Sequence, residues 1–247
     1  MSVQDASPYA NLYLHAEALP ELGASTANFI PAKRIQESFL APLERKVLVA
    51  LAKRTPAAIN SDHLTALGIA ANLLAGICYT LARWEPLALL GAIFCLALNW
   101  LGDSLDGTLA RVRNRQRPRY GFYVDHIVDS FSALFLMGGL ALSGYVHPAI
   151  AIGMLVAFLM LSIEAYLASY ALATFRLSYW KFGPTEIRIL LVIGNIALLF
   201  RPVVRILGAR YRLFDIGGAI AVVGMVLILI ISSAVHTAQL YREEQIQ

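Results

Sequence analysis

Four aspartates stand where a polypeptide has most reason to avoid them. Asp103 and Asp106 lie near the end of an apolar run at 86–110, and Asp125 and Asp129 near the start of another at 122–145. A carboxylate at the centre of a membrane helix costs about 2.5–3.5 kcal/mol on insertion scales, and less towards the interface. Asp103 and Asp106 are spaced i,i+3, and Asp125 and Asp129 i,i+4, so on helices each pair projects from one face. A short basic connection with Arg111, Arg113, Arg115, Arg117 and Arg119 joins the two runs and makes them antiparallel neighbours. The four carboxylates then converge on one pocket. Converging negative charges must protonate, pair with cations or bind metal. The basic residues nearest in sequence are the loop arginines, poorly placed to neutralise all four. Hard oxygen donors favour Mg²⁺ or Mn²⁺, and Ca²⁺ is also compatible with them.

Small residues follow the same helical stripe. Gly107 is one turn past Asp103, Ala110 one turn past Asp106, and Gly121 one turn before Asp125. Small side chains admit either a bulky ligand or a neighbouring helix. Arg111 closes the stripe with a planar donor fork suited to phosphate, and would serve equally as a basic anchor at the membrane face. Together these residues spell Asp103-x2-Asp106-Gly107-x2-Ala110-Arg111-x9-Gly121-x3-Asp125-x3-Asp129.

This pattern resembles the signature of the CDP-alcohol phosphotransferase (CDP-alcohol phosphatidyltransferase) family, with every fixed position present. The resemblance implies an enzyme with two divalent cations, Mg²⁺ or Mn²⁺, in a cavity facing the cytoplasm. It implies that Asp103, Asp106 and Asp125 are metal ligands and that Asp129 is the general base and touches a metal. It implies that Gly107, Ala110 and Arg111 lie against the cytidine diphosphate group, and that the protein is a homodimer. The segment Ile59–Thr65 resembles the one that leads into the first span in this family, where an Asn and a Thr lie near the nucleotide. Asn60 and Thr65 are the matching residues, although Asn60 also reads as a helix cap.

The resemblance further implies CDP-diacylglycerol as donor, with a phosphatidyl group passing to an alcohol and CMP released. The segment around Asp103 and Asp125 is similar to bacterial and archaeal members, which implies an inner-membrane enzyme of phospholipid synthesis. An alternative is transfer of a CDP-linked headgroup of the ethanolamine or choline type to a lipid alcohol, though chains of that kind are generally longer. A different class, the divalent-cation transporter, would also place carboxylates in helices but would not need Gly107, Ala110 and Arg111 on the same stripe. Acceptor choice is expected to involve residues 174–188. Arg176, Lys181 and Arg188 are candidates for holding a phosphorylated alcohol such as glycerol phosphate or inositol phosphate, or else they anchor helix ends. Glu164, costly in a span, would pair with Arg176 or Arg188 or bond a sugar hydroxyl.

The elements that must position these residues follow from composition. The chain has 247 residues, 58% hydrophobic and 15% charged, with a mean hydropathy of +0.64. Soluble domains are about 45–50% apolar and about 25% charged. Six stretches approach the ~20 apolar residues of a span: 64–83, 86–110, 122–145, 148–172, 185–201 and 214–238. Lipid leaves backbone groups no outside partner, so the spans are helices and the fold is an all-α membrane protein. Residues 1–32 read as a polar arm. Residues 33–58 read as an interfacial amphipathic helix, with Ile35, Phe39, Leu43, Val47 and Leu51 at every fourth position and Pro42 able to kink it. Residues 59–240 form the six-helix catalytic domain, and 241–247 a polar tail.

Lys33, Arg34, Arg45, Lys46, Lys53 and Arg54, the five arginines after the second span, and Arg176, Lys181 and Arg188 all fall on one side, which the positive-inside rule makes cytoplasmic. Arg201, Arg205, Arg210 and Arg212 break that rule, either snorkelling to headgroups or marking a miscounted span. Cys78 and Cys95 sit in apolar runs as packing residues, and His126 points away from the aspartates as a packing or interface residue. No basic segment precedes an apolar core near the N-terminus, which argues against a cleaved signal peptide. No interleaved basic and aromatic surface suggests a nucleic-acid partner.

Overall fold

The structure is a computed structural model and describes residues 33–35, 40–172, 174–176, 183–206 and 208–244. Strand β1 (Lys33–Ile35) precedes helix α1 (Ala41–Arg54). Helices α2 (Ser61–Leu81), α3 (Ala88–Val112), α4 (Pro118–Leu142) and α5 (Pro148–Leu172) follow. Strand β2 (Thr174–Arg176), helix α6 (Pro184–Phe200), the hairpin β3 (Val203–Ile206) and β4 (Ala209–Arg212), and helix α7 (Leu213–Glu243) complete the chain. The polar arm expected at 1–32 lies outside the described residues.

Local chemistry sets the helix starts. Pro42, Pro118 and Pro184 occupy first-turn positions, where the missing N–H costs nothing. Asn60 caps α2: its side chain accepts from His63 N at 3.0 Å, and His63 Nδ1 accepts from Asn60 N at 3.4 Å. Five helices, α2, α3, α4, α5 and α7, are long and apolar enough to cross a membrane. The expected sixth span, α6, has 17 residues. It therefore reaches about 25 Å, slightly short of a ~30 Å hydrocarbon core. Gly183-Pro184 opens α6 and Pro202 follows its last turn, which fixes its length from both ends.

The amphipathic helix differs from its sequence pattern. It begins at Ala41, so Pro42 starts the helix and does not kink it. Ile35 belongs to β1, which pairs in parallel with β2 (Lys33↔Thr174, Ile35↔Arg176); Phe39 lies outside the described residues. Leu43 and Val47 are exposed, while Leu48 and Ala52 are buried with Leu64, Leu105 and Leu109 of α2 and α3. The buried face is rotated from the four-residue stripe because Glu44 is drawn inward, as described below. The C-terminal tail expected from 241 is helical as far as Glu243.

Close backbone contact joins α2 to its neighbours. A Cβ on Gly102 would fall 2.6 Å from Leu64 O and 2.7 Å from Gly68 N, so α3 lies directly on α2 one residue from Asp103. At the other end, a Cβ on Gly139 of α4 would overlap the backbone of Gly76 in α2. Gly139→Leu is expected to destabilise the bundle by about 3 kcal/mol, the upper end of the usual cost of overpacking. Gly138→Leu, whose Cβ would meet nothing within 4 Å, is expected to be near neutral. Thermal unfolding in detergent compares the two. Beside this crossing, Tyr79, Leu89, Leu96, Leu140, Val146 and Leu198 form the main core, and Asn195 Nδ2 donates to Tyr79 OH at 2.7 Å.

Candidate active site

The C-terminal part of α3 and the N-terminal part of α4 carry the aspartates. Their positions rest on α2 and α6. Thr65 Oγ1 donates to Asp106 Oδ2 at 2.6 Å, and Ser61 Oγ donates to Asp106 O at 3.0 Å. The first turn of α2 thus holds a buried carboxylate. Arg188, in the second turn of α6, donates from Nη2 to Asp103 Oδ2 at 2.5 Å and from Nε to Asn99 Oδ1 at 2.9 Å. Asn99 is itself fixed by donating to Gly68 O at 3.0 Å. Four helices therefore meet around the carboxylates.

The two pairs face each other. Asp129 is in Coulombic range of Asp103, Asp125, Asp106 and Arg188, and Asp106 of Asp125 and Asp103. Asp106 is buried, Asp103 and Asp125 are half-buried, and Asp129 is exposed. Exposure rises across the cluster, from Asp106 at its inner side to Asp129 at its outer side. Among the described residues no three His, Cys, Asp or Glu side chains are already drawn around one point as metal ligands. The donor set nonetheless fits a hard divalent cation. It consists of carboxylate oxygens on two rigid helices, and Arg188 balances only part of their charge. Arg188 also reaches the carboxylates, a cation distant in sequence, because α6 packs against α3 in a contact between segments 85 residues apart.

The small residues of the signature are not helix-packing residues. A Cβ on Gly121 would meet nothing within 4 Å, and one on Gly107 would meet only Arg111 Nη1, at 3.5 Å. This sets them apart from Gly76, Gly102 and Gly139, each of which touches a neighbouring backbone. Gly107 lets Arg111 fold back over the stripe, where Arg111 Nη2 also donates to Thr108 Oγ1 at 3.0 Å. Ala110, one turn past Asp106, is half-buried.

Other expectations are redistributed. Asn60 spends its side-chain oxygen on the α2 cap, and Thr65 on Asp106. Glu164 does not pair with Arg188. Its Oε1 lies 2.5 Å from His236 Nδ1 of α7, because α5 packs against α7 at that level. Lys181 lies outside the described residues, as does the side chain of Arg176. His126 packs against aromatic rings, 4.1 Å from that of Phe122 and edge-on at 4.5 Å to that of Tyr166.

Several residues around the site have partners that the sequence did not show. Glu44 Oε1 accepts from Trp100 Nε1 at 2.8 Å, Ser104 Oγ at 3.2 Å and Thr185 Oγ1 at 2.8 Å, joining α1, α3 and α6. Glu186 accepts from Gly183 N at 2.9 Å and Leu40 N at 3.1 Å, so it ties α6 to the start of α1 as well as capping its own helix. Arg113 donates to the carbonyls of Thr55, Pro56 and Ile59, locking the α1–α2 connection onto the end of α3. Tyr166 is in Coulombic range of Asp129 and Asp125, placing a phenol at the outer side. Asn99, a polar residue inside an apolar run, was the one legible signal among them.

A family model described as CDP-alcohol phosphatidyltransferase matches residues 59–237, well over half of the chain. The chain belongs to the CDP-alcohol phosphatidyltransferase family. The match opens at the loop before α2 and covers every helix that contributes an aspartate, Thr65 or Arg188. CDP-alcohol phosphatidyltransferases are phosphotransferases, so the chain is an enzyme and the cation-transporter alternative is set aside. Helix α1, which the match leaves out, is attached to the family core through Glu44 and Leu48. No curated protein matches the chain.

Proposed function

We propose that this enzyme transfers a phosphatidyl group from CDP-diacylglycerol to the hydroxyl of an alcohol, releasing CMP, with two divalent cations, Mg²⁺ or Mn²⁺, held by Asp103, Asp106, Asp125 and Asp129. The observation that carries this reading is the juxtaposition of two aspartate pairs from antiparallel helices with a strip cleared by Gly107 and Gly121 and roofed by Arg111. When bound, the cations neutralise the donor's pyrophosphate and the leaving CMP. Asp129, the most open of the four, accepts the proton as the alcohol oxygen bonds to the lipid-linked phosphorus and the pyrophosphate P–O bond breaks. Gly107, Ala110 and Arg111 receive the cytidine diphosphate, with Asn60 and Thr65 flanking it.

Arg188, Arg176 and Lys181 form the acceptor side, with Glu164 further from it. Arg188 is the member that the fold brings to the carboxylates, and it suits an acceptor bearing a phosphate, such as glycerol phosphate or inositol phosphate. Arg188→Gln is expected to raise KM for a phosphorylated acceptor about 10-fold or more, the value of one charge-assisted bidentate contact. Initial rates against acceptor concentration measure it, and an unchanged KM would place the acceptor elsewhere. In the cell, α6 serves as the sixth span with modest local thinning of the bilayer. The aspartates face the cytoplasm of a bacterial or archaeal inner membrane, α1 lies on that face, and two copies form a homodimer.

The test is to incubate the purified enzyme with radiolabelled CDP-diacylglycerol and a panel of alcohols, and to separate the lipids by thin-layer chromatography. The expected result is a labelled phospholipid and CMP with one class of acceptor, lost on chelation and restored by Mg²⁺ or Mn²⁺. Product formed only from a CDP-linked headgroup and a lipid alcohol would establish the reverse arrangement.

A further inference from the structure

Three of the four arginines that break the charge rule, Arg205, Arg210 and Arg212, fall on one hairpin, and Arg201 caps the end of α6 just before it. The turn at Gly208, with φ +85°, closes β3 onto β4 in the register Val203↔Arg212, Val204↔Tyr211, Arg205↔Arg210 and Ile206↔Ala209. Side chains alternate between the faces of a strand. One face of the hairpin therefore presents Val203, Arg205, Arg210 and Arg212, and the other Val204, Ile206, Ala209 and Tyr211. The apolar face is not covered by the bundle: Ile206 is 44% exposed and Tyr211 47%.

The basic face lacks a partner within the described chain. Residues 201–212 contain no acid, and among the described residues no carboxylate pairs with any of these arginines. The nearest acid in sequence, Asp215, accepts from His147 N at 2.5 Å at the start of α5. Arg205 and Arg210 stand directly opposite each other, a like-charge pairing that destabilises a hairpin unless an anion lies against it. Arg212 precedes the first turn of α7, where the helix dipole also disfavours a cation.

The position of the hairpin indicates what supplies the anion. It joins the end of α6 to the start of α7, a helix long and apolar enough to span. Arg188 marks the level of the aspartates, and Arg201 is 13 residues further along α6. The hairpin therefore sits about 20 Å away along the helix axis, at the opposite end of the bundle. An element with one apolar and one arginine-bearing face at the end of a span suits the boundary between acyl chains and headgroups.

We propose that the amphipathic hairpin of β3 and β4 docks on anionic phospholipid headgroups at the membrane face opposite the active site. Ile206 and Tyr211 enter the acyl boundary, and Arg205, Arg210 and Arg212 bind headgroup phosphates. This holds whichever alcohol the enzyme uses.

The test measures thermal unfolding of the full chain in detergent micelles doped with phosphatidylglycerol or phosphatidylcholine. The wild type should unfold several degrees higher with phosphatidylglycerol. The combined variant Arg205→Gln, Arg210→Gln, Arg212→Gln should lose at least half of that difference. The basic residues of α1 supply the rest, which an Arg45→Gln, Lys46→Gln, Lys53→Gln variant removes separately. In a second measurement, Tyr211→Trp in nanodiscs should be quenched more strongly by chain-brominated phosphatidylglycerol than by brominated phosphatidylcholine. An undiminished lipid shift in the hairpin variant, or equal quenching by both lipids, would overturn the proposal. So would loss of self-association in the hairpin variant with its lipid shift intact, because the face would then be an interface between copies.

Discussion

Asp129→Asn is expected to lower the rate of CMP release by about 10²–10⁴-fold, the usual contribution of a positioned general base. The substitution keeps the size of the side chain and its place on α4, so the helix crossings at Gly76/Gly139 and Gly68/Gly102 are untouched. What it removes is the group able to take a proton at the outer side of the site. It also removes one of the charges that crowd Asp103, Asp106 and Asp125. Relief of that repulsion should keep the variant at least as stable as the wild type, and it should still bind CDP-diacylglycerol. Steady-state rates at saturating donor, with donor binding measured on the same preparation, check both halves. A variant that retains more than a tenth of wild-type turnover would remove Asp129 from the role of base.

Asp103→Asn should act differently. Asp103 is held by Arg188, which is held by Asn99, which is anchored on Gly68 O, so the orientation of this carboxylate depends on α2 and α6. Loss of a charged ligand should raise the Mn²⁺ concentration for half-maximal activity by on the order of 10–100-fold or more, the range for loss of even an outer-shell partner. High Mn²⁺ should then recover part of the rate, which it should not do for Asp129→Asn. A Mn²⁺ titration of CMP release distinguishes the two, and an unchanged half-maximal concentration would exclude Asp103 as a ligand. Asp103→Asn also leaves Arg188 without its acidic partner, so acceptor KM should be recorded alongside.

The aspartate cluster was legible in the sequence because its information is local. Spacings of three and four within one helix, and a short connection between two helices, fix which side chains share a face. Five of the six expected span positions were legible for the same reason, and Pro118 and Pro148 begin helices within a few residues of the expected starts. What could not be read came from contacts between distant segments. Arg188 reaches Asp103 across 85 positions, Thr185 reaches Glu44 across 141, and His236 reaches Glu164 across 72. Each depends on which helices pack together, and hydrophobic periodicity does not encode that. The amphipathic helix was misread because Glu44 carries its charge inward to Trp100, Ser104 and Thr185. A pattern rule places such a residue on the polar face. The arginine-bearing hairpin appeared only as an exception to the charge rule until its strand register separated the two faces.

The account depends most on divalent ions gathering between the α3 and α4 carboxylates. Crystals of the full chain grown with Mn²⁺ and CDP-diacylglycerol, with diffraction collected at the manganese edge, test this directly. The expected result is anomalous density among Asp103, Asp106, Asp125 and Asp129, with Arg188 withdrawn from Asp103 or sharing it. Anomalous density elsewhere, or none in crystals of enzyme that releases CMP under the same conditions, would contradict it.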